Sequence, residues 1–161
     1  SEDGRFIGVV SYKSGTDDEL LLMDRNGNEL NTFSLNQGIT DFRIAKDGHF
    51  VTLRSDSRVA VFSVVSGERM GSTSIRSGTL YFADYIPEDE MIIALSGDRN
   101  GAQISNIELH AINLAERSLE RQDYSGTLGI TNAIPLSITR NAANNYTLNG
   151  LSTALNLKVS F

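Results

Sequence analysis

Two stretches of this chain, residues 1–7 and 45–51, carry one pattern at an offset of 44: Asp3-Gly4-Arg5-Phe6-Ile7 matches Asp47-Gly48-His49-Phe50-Val51. Looser copies stand at Ile86-Pro87-Glu88-Asp89-Glu90-Met91-Ile92 and at Thr139-Arg140-Asn141 leading to Tyr146-Thr147-Leu148. After the turn of each copy come an apolar segment, a Gly or Asn turn and a more polar segment. The first set is residues 20–24, Asn26-Gly27 and 29–35; the second is 59–65, Ser66-Gly67 and 68–75; the third is 107–112, Asn113 and 116–121. A repeat of this kind constrains the fold strongly, because each unit must bury apolar surface on a neighbour built the same way.

The units read as strands. Residues 6–12, 19–23, 30–35, 40–44, 50–53, 59–65 and 91–95 are short segments rich in Val, Ile, Leu and Phe, bounded by Gly, Asn, Asp and Ser. Asn26-Gly27 predicts a type I′ hairpin turn, since both residues tolerate positive φ. The spacing predicts an all-β, antiparallel protein, with no room for the crossover helices of a parallel sheet. A period of about 40–50 residues built from four short strands is the pattern of propeller blades; a β-sandwich of similar strand density is the alternative. The runs Leu20-Leu21-Leu22-Met23 and Val59-Ala60-Val61-Phe62 are continuously apolar, which predicts burial on both faces. Residues 31–35 and 69–75 are polar enough for outer strands. Residues 109–119 read either as strand, turn and strand or as a short helix, because Leu109, Ile112 and Leu119 lie at partly helical spacing.

The repeat resembles the blades of the WD40-like and quinoprotein-like β-propeller superfamily, with its Asp-Gly turn before a strand and a later apolar–Asp–Gly element. The residues that carry the likeness are Asp3-Gly4-Arg5-Phe6 with Leu22-Met23-Asp24 and Gly27, and Asp47-Gly48-His49-Phe50 with Val61-Phe62 and Gly67. The chain has no tryptophan, so the Trp-Asp pair of that pattern is reduced to Met23-Asp24, and no Gly-His pair precedes the strands. The resemblance implies a rigid platform whose loops and faces bind other proteins.

Blade-like units are expected at about residues 1–38, 39–78, 79–126 and 127–161. At 161 residues the chain holds fewer than four repeats, at the floor of the four to eight blades that close a propeller. The expectation is therefore a single β domain or a propeller fragment, completed by further sequence or by a partner. At the C-terminal end, residues 146–149 and 154–161 read as a hairpin. Leu155, Leu157, Val159 and Phe161 alternate as in a strand with one buried face. That strand could close a ring by pairing with residues 6–10, or serve as an interaction tail.

Composition excludes several classes. Without cysteine there is no disulfide scaffold and no Cys-based zinc site. Fourteen Lys and Arg against twenty Asp and Glu, a net charge of −6 with interspersed signs, argue against a nucleic-acid partner. Apolar runs end after four or five residues, far short of the ~20 that a spanning helix needs. A soluble domain is expected, periplasmic, extracellular or cytoplasmic.

Constellations suited to chemistry are few. Asp24-Arg25-Asn26-Gly27-Asn28-Glu29 spaces oxygen donors like a calcium loop, yet Glu29 and Leu35 stand where an EF-hand needs Gly and a bidentate Glu. It reads as a hairpin turn bonding its own backbone. Asp84, Glu88, Asp89 and Glu90 surround Pro87 at an expected turn, where carboxylates are normally solvated. His49 and His110 lack metal-ligand spacing, and each reads as a surface or hydrogen-bonded histidine. The glycine-rich residues 125–129 read as a loop between blades. No catalytic, metal or cofactor-binding residue is assigned. Arg54, Arg58, Arg69 and Arg76 could line one surface for an acidic partner.

The sequence reading is thus a non-enzymatic protein–protein interaction or scaffold domain of a larger assembly, such as a bacterial cell-envelope or secretion complex. A carbohydrate-binding or hydrolytic domain on a sandwich or propeller is the alternative. Polar loops at residues 13–18, 54–58 and 97–103 nominate Lys13, Asp17, Asp18, Arg54, Arg58, Asp98 and Arg99 as interaction residues. The expected partner is another protein, one that could complete the propeller.

Overall fold

The computed structural model describes residues 4–12, 17–75, 78–131 and 133–160. Among the sequence readings above, Ser1, Glu2, Asp3, Lys13, Arg76 and Phe161 lie outside the described residues. The chain is all-β, in four antiparallel sheets that follow one another along the sequence. Two compact units, Ser1–Ser74 and Ile75–Phe161, hold two sheets each.

In the first unit, β1 (Phe6–Ser11), β2 (Glu19–Asp24) and β3 (Glu29–Ser34) form the first sheet, and β4 (Asp41–Ile44), β5 (Phe50–Arg54), β6 (Arg58–Ser63) and β7 (Arg69–Ser74) the second. Each is a meander in chain order. Their shared core contains Leu20, Leu22 and Phe33 from one sheet and Val51, Leu53, Ala60 and Phe62 from the other. The Phe33 and Phe62 ring centroids are 5.3 Å apart. Glycine makes the close approach possible at residue 8, where a Cβ would lie 2.5 Å from the Phe42 ring.

The predicted Asn26-Gly27 turn forms with different geometry. Only Gly27 has positive φ, +84°, and its N–H donates to the Asp24 carbonyl, so the turn is centred on Arg25-Asn26. The Asp24 carboxylate accepts from the N–H groups of Asn26 and Asn28 and from the Asn28 amide. That network, the Asn28 side chain foremost, holds its pKa below the usual carboxylate value. The calcium-like residues are thus occupied with turn formation.

In the second unit, β8 (Thr79–Ile86), β9 (Met91–Asn100), β10 (Gln103–Asn113) and β11 (Ser118–Gly129) form the third sheet, and β12 (Ser137–Ala142), β13 (Asn145–Asn149) and β14 (Leu155–Lys158) the fourth. Residues 109–119 are strand, turn and strand rather than helix: tertiary pairing along Ile107–Asn113 outweighs a weak helical spacing. The glycine-rich residues 125–129 are not a loop. Thr127, Leu128 and Gly129 pair with Ser105, Ile104 and Gln103, past a bulge that includes Gly126 at φ +96°. Thr139-Arg140-Asn141 is likewise strand, not turn. The terminal hairpin forms as read, with β14 pairing to β13; Leu155, Leu157 and Val159 are buried and Asn156, Lys158 and Ser160 exposed. β14 thus belongs to the fourth sheet and β1 to the first.

The two faces of the fourth sheet differ. Tyr146, Leu148, Leu155 and Leu157 join the core of the third sheet. The other face carries Thr139, Asn141, Thr147, Asn149 and Asn156, cross-linked by Asn141 to Thr147 at 2.8 Å, Thr147 to Asn156 at 2.8 Å and Asn149 to Thr139 at 3.1 Å. Beside it a 3-10 turn, Pro87–Asp89, is clamped to this sheet. The Asp89 carboxylate accepts two bonds from Arg140, at 2.8 and 2.7 Å, and one from the Tyr146 hydroxyl at 2.6 Å. Its side chain is only 6% exposed, so one member of the acidic cluster is paired rather than freely solvated. The Arg140 bonds hold the Asp89 pKa down, and burial raises that of Tyr146.

Candidate interaction surface

Strand pairing places the residues of the first sheet on two faces. Ile7 stands opposite Met23 and Val9 opposite Leu21, so these four side chains share one face. Leu20 and Leu22, on the other face, are fully buried against the second sheet. Ile7 and Val9 are 46% and 47% exposed, and Leu21 and Met23 are half-buried. Here the sequence expectation fails in part. The run Leu20-Leu21-Leu22-Met23 predicts burial on both faces, and β6 has it, but β2 is buried on one face only.

This partial exposure is informative because the two sheets match position by position. With Phe6 equivalent to Phe50, Ile7 and Val9 correspond to Val51 and Leu53. The pairs Ile7–Met23 and Val9–Leu21 correspond to Val51–Phe62 and Leu53–Ala60. Val51, Leu53, Ala60 and Phe62 are the residues through which the second sheet packs on the first. The open face of the first sheet is therefore equivalent to a face used for sheet stacking within this unit.

A groove of about 430 Å³ opens on the same unit, lined by Phe6, Leu30, Asn31, His49, Val64 and Val65 among others. Its edges are set by repeat turns. Gly48 has φ +76°, and a Cβ there would meet the Phe6 ring at 2.7 Å; Gly4 has φ +68° in open space. The Arg5 guanidinium lies 5.5 Å from the Phe6 ring centroid and donates to the Lys46 carbonyl. Asn31 donates to the Val64 carbonyl at 2.7 Å, fixing the turn that presents Val65, 83% exposed. His49 is on the surface, 3.7 Å from Asp47.

The residues nominated from sequence are dispersed. Asp17 is exposed, whereas Asp18 is buried and accepts the Ile39 N–H at 2.9 Å, tying the segment before β2 to the one before β4. Arg54 is largely buried, 3.7 Å from Asp41, and Arg58 donates to the Leu35 carbonyl. Arg69 pairs with Phe62, at the opposite end of β6 from Arg58, so these arginines do not form one patch. Asp98 and Arg99 are not loop residues. They pair with Ser105 and Ile104 in the β9–β10 hairpin, whose turn is only Gly101-Ala102.

Among the described residues, Ser96 and His110 form a Ser–His pair. His110 Nε2 lies 2.8 Å from Ser96 Oγ, with Glu108 3.6 Å from the same nitrogen. Ser96 and His110 are 1% and 2% exposed, and the carboxylate is on the serine's side of the ring, where it cannot orient the imidazole as a triad requires. Burial, with Arg121 adding and Asp123 opposing, lowers the His110 pKa to about 4, so the ring is neutral at pH 7. Among the described residues no group of three or more His, Asp and Glu is arranged to hold a metal ion, and no helix is long and apolar enough to cross a membrane.

No protein-family profile and no curated protein matches the chain. Solved structures do. The chain is similar to a eukaryotic initiation factor, with a TM-score of 0.58 at 6% identity over 78% of this chain and 31% of that one. It is similar to hydrazine synthase of Kuenenia stuttgartiensis, with a TM-score of 0.55 at 14% identity over 91% of this chain and 48% of that one. An uncharacterized protein of Listeria monocytogenes EGD-e gives 0.55 at 11%, over 95% and 63%. The chain spans less than two thirds of each. Identities this low speak to the fold alone: an all-β protein of successive antiparallel sheets, like those of propeller-like proteins.

Proposed function

We propose that this chain is a non-enzymatic scaffold domain, built of degenerate WD40-like or quinoprotein-like blades, that binds a protein partner through its first sheet. The observation that supports this reading is the open face of Ile7, Val9, Leu21 and Met23, equivalent to residues that in the second sheet are buried by stacking. Contiguous apolar surface with a polar rim is a mark of protein interaction sites. Nothing in the Ser96–His110 pair favours hydrolysis, since both groups are buried.

A photo-crosslinking residue at Leu21, compared with one at Asn156 on the polar face of the fourth sheet, tests the reading. The expected result is one discrete protein adduct from position 21 and none from 156. Equal, diffuse labelling at both positions, or activity in a hydrolysis or glycan-binding screen, overturns it.

A further inference from the structure

The dipeptide Asn-Gly occurs at Asn26-Gly27, Asn100-Gly101 and Asn149-Gly150. Such a bond rearranges without an enzyme when the glycine nitrogen reaches the asparagine Cγ. Glycine favours the attack because no Cβ shields its nitrogen and its backbone turns freely. The surroundings of the bond decide whether the two atoms can meet.

Two of the three bonds are restrained. The Gly27 N–H donates to the Asp24 carbonyl at 3.0 Å, and the Asn26 N–H donates to the Asp24 carboxylate at 2.8 Å, so the attacking nitrogen is held in its turn. The Asn149 amide donates to Thr139 Oγ1 at 3.1 Å and to the Thr147 carbonyl at 3.4 Å. Asn149 and Gly150 are half-buried, and a Cβ on Gly150 would lie 2.6 Å from the Pro135 carbonyl oxygen, so neither residue has room to turn.

Asn100 and Gly101 stand at the tip of the β9–β10 hairpin, where both are exposed. Among the described residues no hydrogen bond is made by the Asn100 side chain or by the Gly101 N–H. A Cβ on Gly101 would meet nothing within 4 Å. Asp98, Arg99 and Asn100 are exposed, so opening the tip uncovers no core.

We propose that Asn100 is a site of spontaneous modification, converted through a cyclic succinimide to isoaspartate and aspartate ahead of Asn26 and Asn149. The Gly101 nitrogen forms a bond to the Asn100 Cγ, the bond from Cγ to Nδ2 breaks, and ammonia leaves with the proton the glycine nitrogen gave up. Water then opens the ring at either carbonyl. The net exchange is water for ammonia, with one new carboxylate two residues from Asp98. In the isoaspartate product an extra carbon enters the backbone, which breaks the pairing of Asn100 with Gln103. This inference does not rest on the partner-binding reading.

The full chain is incubated at mildly alkaline pH, and conversion at each Asn-Gly is followed by mass spectrometry of its peptides and by isoaspartyl methyltransferase labelling. Asn100 is expected to convert about fivefold or more faster than Asn26 or Asn149, the factor that one hydrogen bond sets. In denaturant the three rates are expected to converge. Thr139→Val, which removes an acceptor of the Asn149 amide, should raise conversion at Asn149 and leave Asn100 unchanged. Conversion at Asn26 or Asn149 as fast as at Asn100 in the folded chain overturns the proposal. So does an Asn100 that converts only in denaturant. A lead for Asn100 that persists in denaturant also overturns it, since the preference would then belong to the neighbouring sequence and not to the fold.

Discussion

The first two sheets are built on one repeat and pair in one register, yet Val51 and Leu53 are fully buried while Ile7 and Val9 are almost half exposed. The difference does not come from the strands themselves, which are equally apolar. It comes from neighbours: Val51 and Leu53 pack against the first sheet and beside β4, whereas among the described residues Ile7 and Val9 have no such cover. Burial in such meanders is a property of the stack, so equivalent residues should contribute very unequally to stability.

The largest expected effect tests that directly. Leu53→Ala should destabilise the first unit by about 2–5 kcal/mol, as cavity-forming core truncations do, whereas Val9→Ala should stay within about 1 kcal/mol. Urea unfolding followed by circular dichroism measures both; equal losses would mean that the open face is covered in solution. A smaller contrast separates the repeat turns. Gly48→Ala must place a side chain at φ +76° and into Phe6, while Gly4→Ala bears only the φ penalty, about 1 kcal/mol. The Gly48 variant should lose about twice as much in the same measurement. Next comes Asn31→Ala, which removes the bond to the Val64 carbonyl and should cost about 1 kcal/mol.

Acid extends the comparison to the second unit. His110 has a folded pKa of about 4, below its ordinary value of 6.5, so the unfolded chain binds the extra proton first. Stability from its neutral form is complete above pH 6.5 and is lost as pH falls towards 4. Asp89, whose pKa is also lowered, adds a loss below the usual carboxylate range, as the partner of Arg140 becomes protonated. Unfolding midpoints between pH 7 and 4.5 should therefore fall for the native chain and fall less for His110→Gln. Parallel curves would assign the loss elsewhere.

Much of the strand order was legible from turn residues. Asp47-Gly48 bounds β5, Ser66-Gly67 separates β6 from β7, and Asn113 closes β10. What sequence misjudged was context. β8, Thr79–Ile86, mixes Asp and Tyr into its apolar run and gave no clean strand signal. Residues 97–103 and 125–129 looked like polar or glycine-rich loops, because a long hairpin with bulges carries exposed polar residues at its far end. The apolar character of β2 was legible in the sequence, where it matches β6; that one face of it is partly exposed required the structure. Three of the nominated charges have structural roles that the sequence did not show: Asp18, Arg54 and Arg58 hold backbone and neighbouring side chains.

The Thr and Asn ladder on the fourth sheet bears on how copies of this chain can associate. Its amides and hydroxyls already satisfy one another, so an apolar face laid against them would strip away water and offer nothing in return. Head-to-tail contacts that do not close on themselves grow into filaments. The ladder therefore gives no apolar seat to the open face of the first sheet of another copy, which disfavours that particular head-to-tail contact.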